Sequence, residues 1–159
     1  MGEQLGSSPS EVPDAEVLLR LTWQPQDFDE DGGLLPGAFR REDLSGPEYG
    51  VSVDCASLVD EARIRKLAAE QQPRNPADRV APLLVPAQAA IVRAAAGNDG
   101  PGILAVHRSV QPDNDAHAHI SSRRQRTKSE INEARLVLIR CFGTPASLDQ
   151  YFASSITPD

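Results

Sequence analysis

The sequence has few aromatic residues, two cysteines and no long apolar segment. Its 159 residues include four Phe, two Tyr and one Trp, so we expect a core built mainly from aliphatic side chains. The two cysteines form no C-x-x-C pair, and a disulfide scaffold is excluded. No apolar run reaches the roughly 18 to 20 residues that span a bilayer, and Glu3, Glu11 and Asp14 stand where a signal peptide needs basic and apolar residues. We therefore expect a soluble, cytoplasmic protein without a membrane partner.

The charge of the chain is negative and unevenly distributed. The formal net charge is -7, and residues 1–60 hold thirteen acidic side chains against three arginines. The remaining residues hold ten acidic side chains against thirteen basic ones. Such polarity lets one surface complement another, or lets the basic part hold an anionic ligand. Nucleic-acid binding is not expected, because phosphate neutralisation dominates that affinity and the whole molecule has the wrong sign.

Apolar periodicity and helix-capping patterns predict a mixed order of elements. Alternation predicts strands, whereas Ser/Thr followed three residues later by an acid predicts a helix start. In chain order we expect a mobile leader over 1–14, a strand over 15–23, a long loop over 24–50, a strand over 50–55, a helix from Ser57 and Asp60 to Pro73, a linker over 73–82, a helix over 86–96, a hairpin of strands over 102–110 and 116–121, a helix that follows Thr127, and a short helix over 145–152.

This order predicts an α+β fold. Residues 15–159 are expected to form a single compact domain with a small mixed or antiparallel sheet and three to four helices. The preceding residues mix Gly, Ser, Pro and acids without apolar periodicity.

An acidic segment resembles the first half of a calcium-binding loop. Asp27, Asp29 and Asp31 alternate before Gly32, as oxygen ligands do in such loops. The second half does not match, because the position of the bidentate glutamate is occupied by Ala38. The segment is therefore interpreted as an acidic loop, and no metal site is expected.

Two histidines on the predicted second arm of the hairpin are the main candidates for chemistry. His117 and His119 are two residues apart, so a strand directs both side chains to one face. His107, beside Arg108 on the first arm, is expected to lie across from this pair. Nothing in the spacing adds the further ligands that zinc needs. The pair is therefore interpreted either as hairpin histidines satisfied by hydrogen bonds or as a site of ligand binding or acid–base chemistry.

Arg20 is a lone cation within an apolar strand. Such a side chain either extends to the surface or grips a carboxylate or phosphate with two parallel hydrogen bonds. The basic run over 121–128 has no aromatic residue for base stacking and is expected to be a solvated connector.

Four segments resemble a family of small uncharacterised bacterial proteins. They are an L-x-R segment (18–20), an AF segment (38–39), an S-V-D strand (50–54) and a D-N-x-A-H-A strand (113–118). Asp115 replaces the proline of the last motif, and His119 follows it. The resemblance implies a bacterial cytosolic context and no particular reaction.

The order of an Arg-bearing strand, a loop and a Ser-bearing strand is also similar to the opening of ADP-ribosyltransferase-like domains. Such domains carry a late glutamate on a strand, whereas Glu130 and Glu133 fall in a predicted helix here.

Two functional hypotheses follow. The first is a binding module that acts with a protein partner and needs no cofactor. The alternative is an enzyme for a phosphate-bearing, nucleotide-like substrate, possibly ADP-ribosyltransferase-like, in which Arg20 holds the phosphate, His117 is the acid or base, and Asp54 or Asp113 orients it. Arg108 and His119 are further candidates for ligand contact. One pocket shared by Arg20, Asp54 and His117 would favour the enzyme.

Overall fold

A six-stranded antiparallel sheet with helices on both faces forms the molecule, in a computed structural model that describes residues 11–155. The strands are β1 (Val17–Pro25), β2 (Val51–Cys55), β3 (Arg79–Gln88), β4 (Ala96–Gly97), β5 (Gly100–Pro101), β6 (Leu104–Arg108), β7 (His117–Ser122) and β8 (Ala146–Ser147). The α-helices are α1 (Glu61–Gln71), α2 (Ala89–Ala94), α3 (Lys128–Cys141) and α4 (Leu148–Ser155), and short 3-10 turns span Pro36–Ala38, Glu42–Leu44, Ala56–Leu58 and Gln72–Arg74. The predicted α+β fold is confirmed.

The strand order across the large sheet is β6-β7-β2-β1-β3-β8, and every neighbouring pair is antiparallel. β4 and β5 form a separate two-stranded ribbon. β1 pairs with β3 along its whole length, whereas its pairing with β2 is limited to Leu18 with Cys55 and Leu19 with Asp54. β1 and β2 therefore separate after Leu19, and the candidate site lies at this opening.

Successive side chains of β1 enter two different cores, because a strand directs alternate residues to opposite faces. Leu18 packs in a cluster that includes Val92 of α2 and Leu138 of α3. Leu19 packs in a second cluster with Ile64 of α1 and Phe152 of α4. The sheet is thus covered by α2 and α3 on one face and by α1 and α4 on the other.

The third strand is the main difference from the sequence-based expectation. We predicted a linker over 73–82 and a helix over 86–96, but β3 occupies Arg79–Gln88 and α2 is a single short helix after it. The prolines of β3 do not interrupt its ladder with β1. The carbonyl of Pro86 accepts a hydrogen bond from the amide of Gly143, so Pro86, and Pro82 four residues before it, present their backbone to the far edge of the strand.

The predicted leader needs correction at its end. Residues 1–10 lie outside the described residues, but Val12 is 1% exposed and belongs to the larger core cluster. Asp14 accepts a hydrogen bond of 2.7 Å from Arg93 Nη1. Residues 11–14 are therefore packed against the domain. A single valine among polar residues gives no periodicity, so the sequence did not reveal this contact.

The start of α3 has the predicted capping box. Thr127 Oγ1 accepts a hydrogen bond from the amide of Glu130, and Glu130 Oε1 accepts one from the amide of Thr127. Arg124 Nη2 donates to Glu130 Oε2 at 2.8 Å. Arg124 first, and then the Thr127 amide, lower the pKa of Glu130 to about 2. The folded state therefore favours the carboxylate.

We expect this capping box to give a pH-dependent contribution to stability. A carboxylate with a lowered pKa stabilises the fold above its ordinary value of 4.5, and this contribution is lost as the pH falls towards 2. Glu130→Gln should therefore lower Tm by a few degrees at pH 7, and its difference from the wild type should shrink between pH 4.5 and pH 2. Thermal unfolding followed by circular dichroism measures this. The control is exposed Glu70→Gln, and an equal effect of both variants at every pH would contradict the prediction.

Both cysteines are free, as expected. Burial is the first cause that raises the pKa of Cys55, to about 11, and burial also raises the pKa of Cys141. Because the thiolate is the reactive form, neither thiol is a good nucleophile. Within the described part of the chain, no helix is long and apolar enough to cross a membrane.

Candidate functional site

A concave pocket of about 230 Å³ lies between α1 and the opening of β1 and β2. Three of the sequence-based candidates, Arg20, Asp54 and His117, line it together. The other polar side chains that contribute to its wall include Ser52, Arg63, Gln71, Gln111 and Asn114. Arg20, Asp54 and His117 therefore share one pocket, which favours the enzyme hypothesis, although the individual side chains do not all have the expected contacts.

The register between β2 and β7 places four polar side chains on one face of the sheet. Asp54 is directly opposite His117, and Ser52 is directly opposite His119. Because directly opposite residues of an antiparallel pair project to the same side, this face carries two imidazoles, one carboxylate and one hydroxyl. The predicted cross-strand position of His107 is confirmed, since it pairs with His119.

His117 connects the backbone to the hydroxyl of Ser52. Its Nδ1 lies 2.8 Å from the carbonyl oxygen of Ser109. A carbonyl only accepts hydrogen bonds, so Nδ1 carries the proton and Nε2 has the free lone pair. Nε2 lies 3.2 Å from Ser52 Oγ, which donates to it. His117 itself is 7% exposed, whereas Ser52 is exposed.

This arrangement has the geometry of a nucleophile and its general base. A serine hydroxyl becomes a useful nucleophile when a neighbouring base can remove its proton, and a third group must hold the base in the correct tautomer. Here the carbonyl of Ser109 has that third role. Ser52 lies in the S-V-D motif, but the sequence alone did not identify it as a site residue.

Asp54 supports the pocket wall through an amide. Asn114 Nδ2 donates to Asp54 Oδ1 at 2.9 Å, and Asn114 Oδ1 accepts from the amide of Ala116 at 3.2 Å. Asp54 is 7% exposed. It therefore fixes the loop between β6 and β7 over the pocket, which differs from the predicted task of orienting His117.

The guanidinium of Arg20 bridges the gap between β1 and β2. Nη1 donates to the carbonyl of Ser52 at 2.8 Å, and Nη2 donates to the carbonyl of Ala38 at 3.0 Å. Its central carbon lies 5.9 Å from the centroid of the Phe39 ring. Burial lowers the pKa of Arg20, although the carboxylates of Asp27 and Asp43 oppose this shift. The structure thus gives Arg20 backbone partners, which were neither of the two alternatives, solvent or an anion, that the sequence left open.

His119 packs beside the catalytic candidate without lining the pocket. Its ring meets that of His117 edge to face, with 4.8 Å between the centroids. Burial, and then electrostatic repulsion from the neighbouring imidazole of His117, lower the pKa of His119. Asp43 opposes this shift, and His107 adds to it. His119 is therefore a neutral packing partner at neutral pH.

The two remaining candidates lie outside the pocket. Asp113 lines an adjoining cavity that Arg63 also borders, and its Oδ2 lies 2.9 Å from Arg63 Nη1. Arg108 donates from Nη2 to the carbonyl of Asp115 at 2.7 Å and does not line the pocket. Arg63 does line it and was missed, because an arginine in an amphipathic helix carries no sequence signal that separates it from ordinary surface charge.

The acidic loop that resembles a calcium site binds its own backbone. Asp29 Oδ1 accepts hydrogen bonds from the amides of Asp31 and Gly33, and Asp27 Oδ2 accepts one from the amide of Trp23. These carboxylates face different partners. Among residues 11–155, no group of three or more His, Cys, Asp or Glu side chains is arranged to hold a metal ion.

Comparisons with family models, with curated proteins and with solved structures find nothing similar to this chain. The functional conclusion therefore rests on the pocket alone.

Proposed function

We propose that the protein is a small hydrolase that uses Ser52 as its nucleophile and His117 as its general base to cleave an ester of a small carboxylic acid. The observation that carries this proposal is the Ser52 Oγ to His117 Nε2 contact of 3.2 Å, with Nδ1 held by the carbonyl of Ser109. Ser52 is exposed within a pocket that fits a small molecule. This is the arrangement that acyl transfer requires.

The reaction divides into acylation and deacylation. Ser52 Oγ attacks the carbonyl carbon of the ester, and its proton passes to His117 Nε2. The tetrahedral intermediate then breaks its bond to the leaving oxygen, which takes the proton from His117 as an alcohol. Water next attacks the acyl group on Ser52, gives a proton to His117, and releases the carboxylic acid as Ser52 recovers its proton.

The pocket wall supplies donors for the negative charge that develops on the carbonyl oxygen. Gln71 and Gln111 carry amide groups within the same lining. Donors that are held in place before the reaction stabilise an oxyanion more effectively than water does.

The contacts of the basic segment favour the pocket over a protein-binding surface. Arg124 is paired with Asp99 and with Glu130, and Arg123 Nε donates to the carbonyl of Leu104. Much of this positive charge is therefore paired with groups of the same domain. Among residues 11–155, no surface specifically supports the protein-partner hypothesis.

The ADP-ribosyltransferase-like alternative has no specific support at the pocket. Glu130 and Glu133 lie on α3, and Glu133 accepts a hydrogen bond from the amide of Asn98. Neither provides a strand carboxylate beside His117.

A fluorophosphonate probe tests the proposal directly. An activated serine hydroxyl displaces fluoride from the probe and forms an O–P bond, and intact mass followed by peptide mapping locates it. We expect one label per chain on Ser52 and complete loss of this label in Ser52→Ala. The matched control is Ser57→Ala, because the Ser57 hydroxyl contacts Glu16 outside the pocket. A labelled Ser52→Ala variant, or an unlabelled wild type, would refute the proposal.

A further inference from the structure

The best cation for recognising a substrate in this pocket is Arg63. It lies on α1 and lines the same cavity as Ser52 and His117. Its side chain is 20% exposed and borders both this cavity and an adjoining one, so it is neither fully buried nor a freely solvated surface group. Arg20, the other guanidinium in the lining, already donates from both Nη atoms to backbone carbonyls.

The guanidinium of Arg63 has N–H donors that are not paired. Nη1 donates to Asp113 Oδ2 at 2.9 Å, but the buried Nε finds no partner among the residues that the structure describes. A guanidinium has five N–H donors in a planar fork that matches a carboxylate or phosphate. A buried donor without a partner is unfavourable, so an incoming anion that engages this fork would satisfy a group that the protein leaves open.

The pairing of Arg63 with Asp113 is easily exchanged. Asp113 is 66% exposed and comes from the loop between β6 and β7, whose residues Gln111 and Asn114 line the pocket. An ion pair with one solvent-exposed partner contributes little net stability. Asp113 therefore pairs with Arg63 in the way that the carboxylate of a ligand would.

We infer that Arg63 is a subsite for an anionic group of the substrate, a carboxylate or a phosphate, and that Asp113 competes with the substrate for it. This inference rests on the proposed function for its meaning in catalysis, since it names the class of substrate that Ser52 would attack. The anionic group would pair with Arg63 and release Asp113 to solvent. Removal of Asp113 should then strengthen anion binding, whereas removal of the Arg63 charge should abolish it.

Binding of inorganic phosphate and of acetate to the Ser52→Ala protein provides a test that needs no catalysis. Isothermal titration calorimetry at constant ionic strength should give saturable binding of at least one of the two anions, and the tighter one indicates the natural group. Arg63→Gln should abolish this binding, and Asp113→Asn should tighten it about fivefold, which is the scale of a competing surface ion pair. Arg65→Gln is the matched control, because Arg65 on the same helix pairs with Glu61 and Asp149.

The outcomes separate this inference from the proposed function. Absence of anion binding, or binding that survives in Arg63→Gln, overturns the subsite, whatever happens at Ser52. Weaker anion binding in Asp113→Asn overturns the competition. Anion binding with the expected variant pattern, together with an unlabelled Ser52, supports the subsite and refutes the hydrolase. Tm measured for each variant shows that the fold is retained.

A kinetic comparison then connects the subsite with the reaction. p-Nitrophenyl hemiglutarate and p-nitrophenyl butyrate have the same reactive ester and differ in the terminal carboxylate. We expect the wild type to have the higher kcat/KM for the anionic ester and Arg63→Gln to remove that preference. A preference that is unchanged in Arg63→Gln would contradict the assignment.

Discussion

Replacement of His117 by alanine is expected to lower kcat for ester hydrolysis by about 10²- to 10⁴-fold, which is the range that a positioned general base contributes. The imidazole removes the Ser52 proton during attack and returns it to the leaving group. Without it, Ser52 Oγ loses the acceptor that lies 3.2 Å away. KM should change little, because the substrate is held mainly by other parts of the pocket.

Steady-state hydrolysis of p-nitrophenyl butyrate measures this effect. His107→Ala is the matched control, because His107 is an exposed imidazole on the same sheet and pairs with His119 at a distance from Ser52. His117→Gln is a second variant that keeps a side chain with hydrogen-bonding capacity, should alanine disturb the fold. Equal activity of the wild type and a folded His117→Gln would exclude His117 as the base.

The strands and caps that depend on local sequence were predicted well. Alternation located β1, β2 and both arms of the β6–β7 hairpin, and the Thr127 pattern located the start of α3. β3 was missed because its stability comes from pairing with β1 along nine residues, which outweighs the prolines and alanines of its own segment. Propensity therefore failed where a long-range ladder decides the structure.

For the same reason, the sequence predicted the strand positions of the site residues but not the contact between them. The sequence placed His117 on a strand, and the alternation of β2 placed Ser52 and Asp54 on one face. The contact between Ser52 and His117 joins residues 65 positions apart and depends on the register of β2 with β7. A shift of one residue would turn every one of these side chains to the other face.

For Arg20, the sequence predicted the position on a strand, but it did not predict the partners of the guanidinium. The carbonyls that it contacts come from a loop 18 positions away and from a strand 32 positions away. Side-chain type alone left surface exposure and an anion as alternatives, whereas the fold supplies two carbonyl oxygens at the gap between β1 and β2. The two interpretations make different predictions for the same substitution.

Arg20→Met is expected to destabilise the protein by about 2 to 4 kcal/mol, because the carbonyls of Ser52 and Ala38 both lose hydrogen bonds from a charged donor. For a domain of this size, that corresponds to a fall in Tm of about 4 to 16 °C. Methionine keeps much of the volume of the side chain, so the loss is mainly one of hydrogen bonds. Arg40→Met is the control, since Arg40 is 74% exposed and pairs with Glu42.

Phosphate binding distinguishes a structural Arg20 from a ligand-binding one. If Arg20 bridges the strands as the contacts show, folded Arg20→Met retains the affinity for phosphate that Arg63 provides, while its Tm is lower. If Arg20 instead held the phosphate, as its residue type suggested, the same variant would lose phosphate binding at an almost unchanged Tm. Calorimetric titration is carried out below the Tm of the variant. Arg63→Gln is measured beside it and should lose phosphate binding at an almost unchanged Tm. The comparison distinguishes a guanidinium that supports the sheet from one that recognises the substrate.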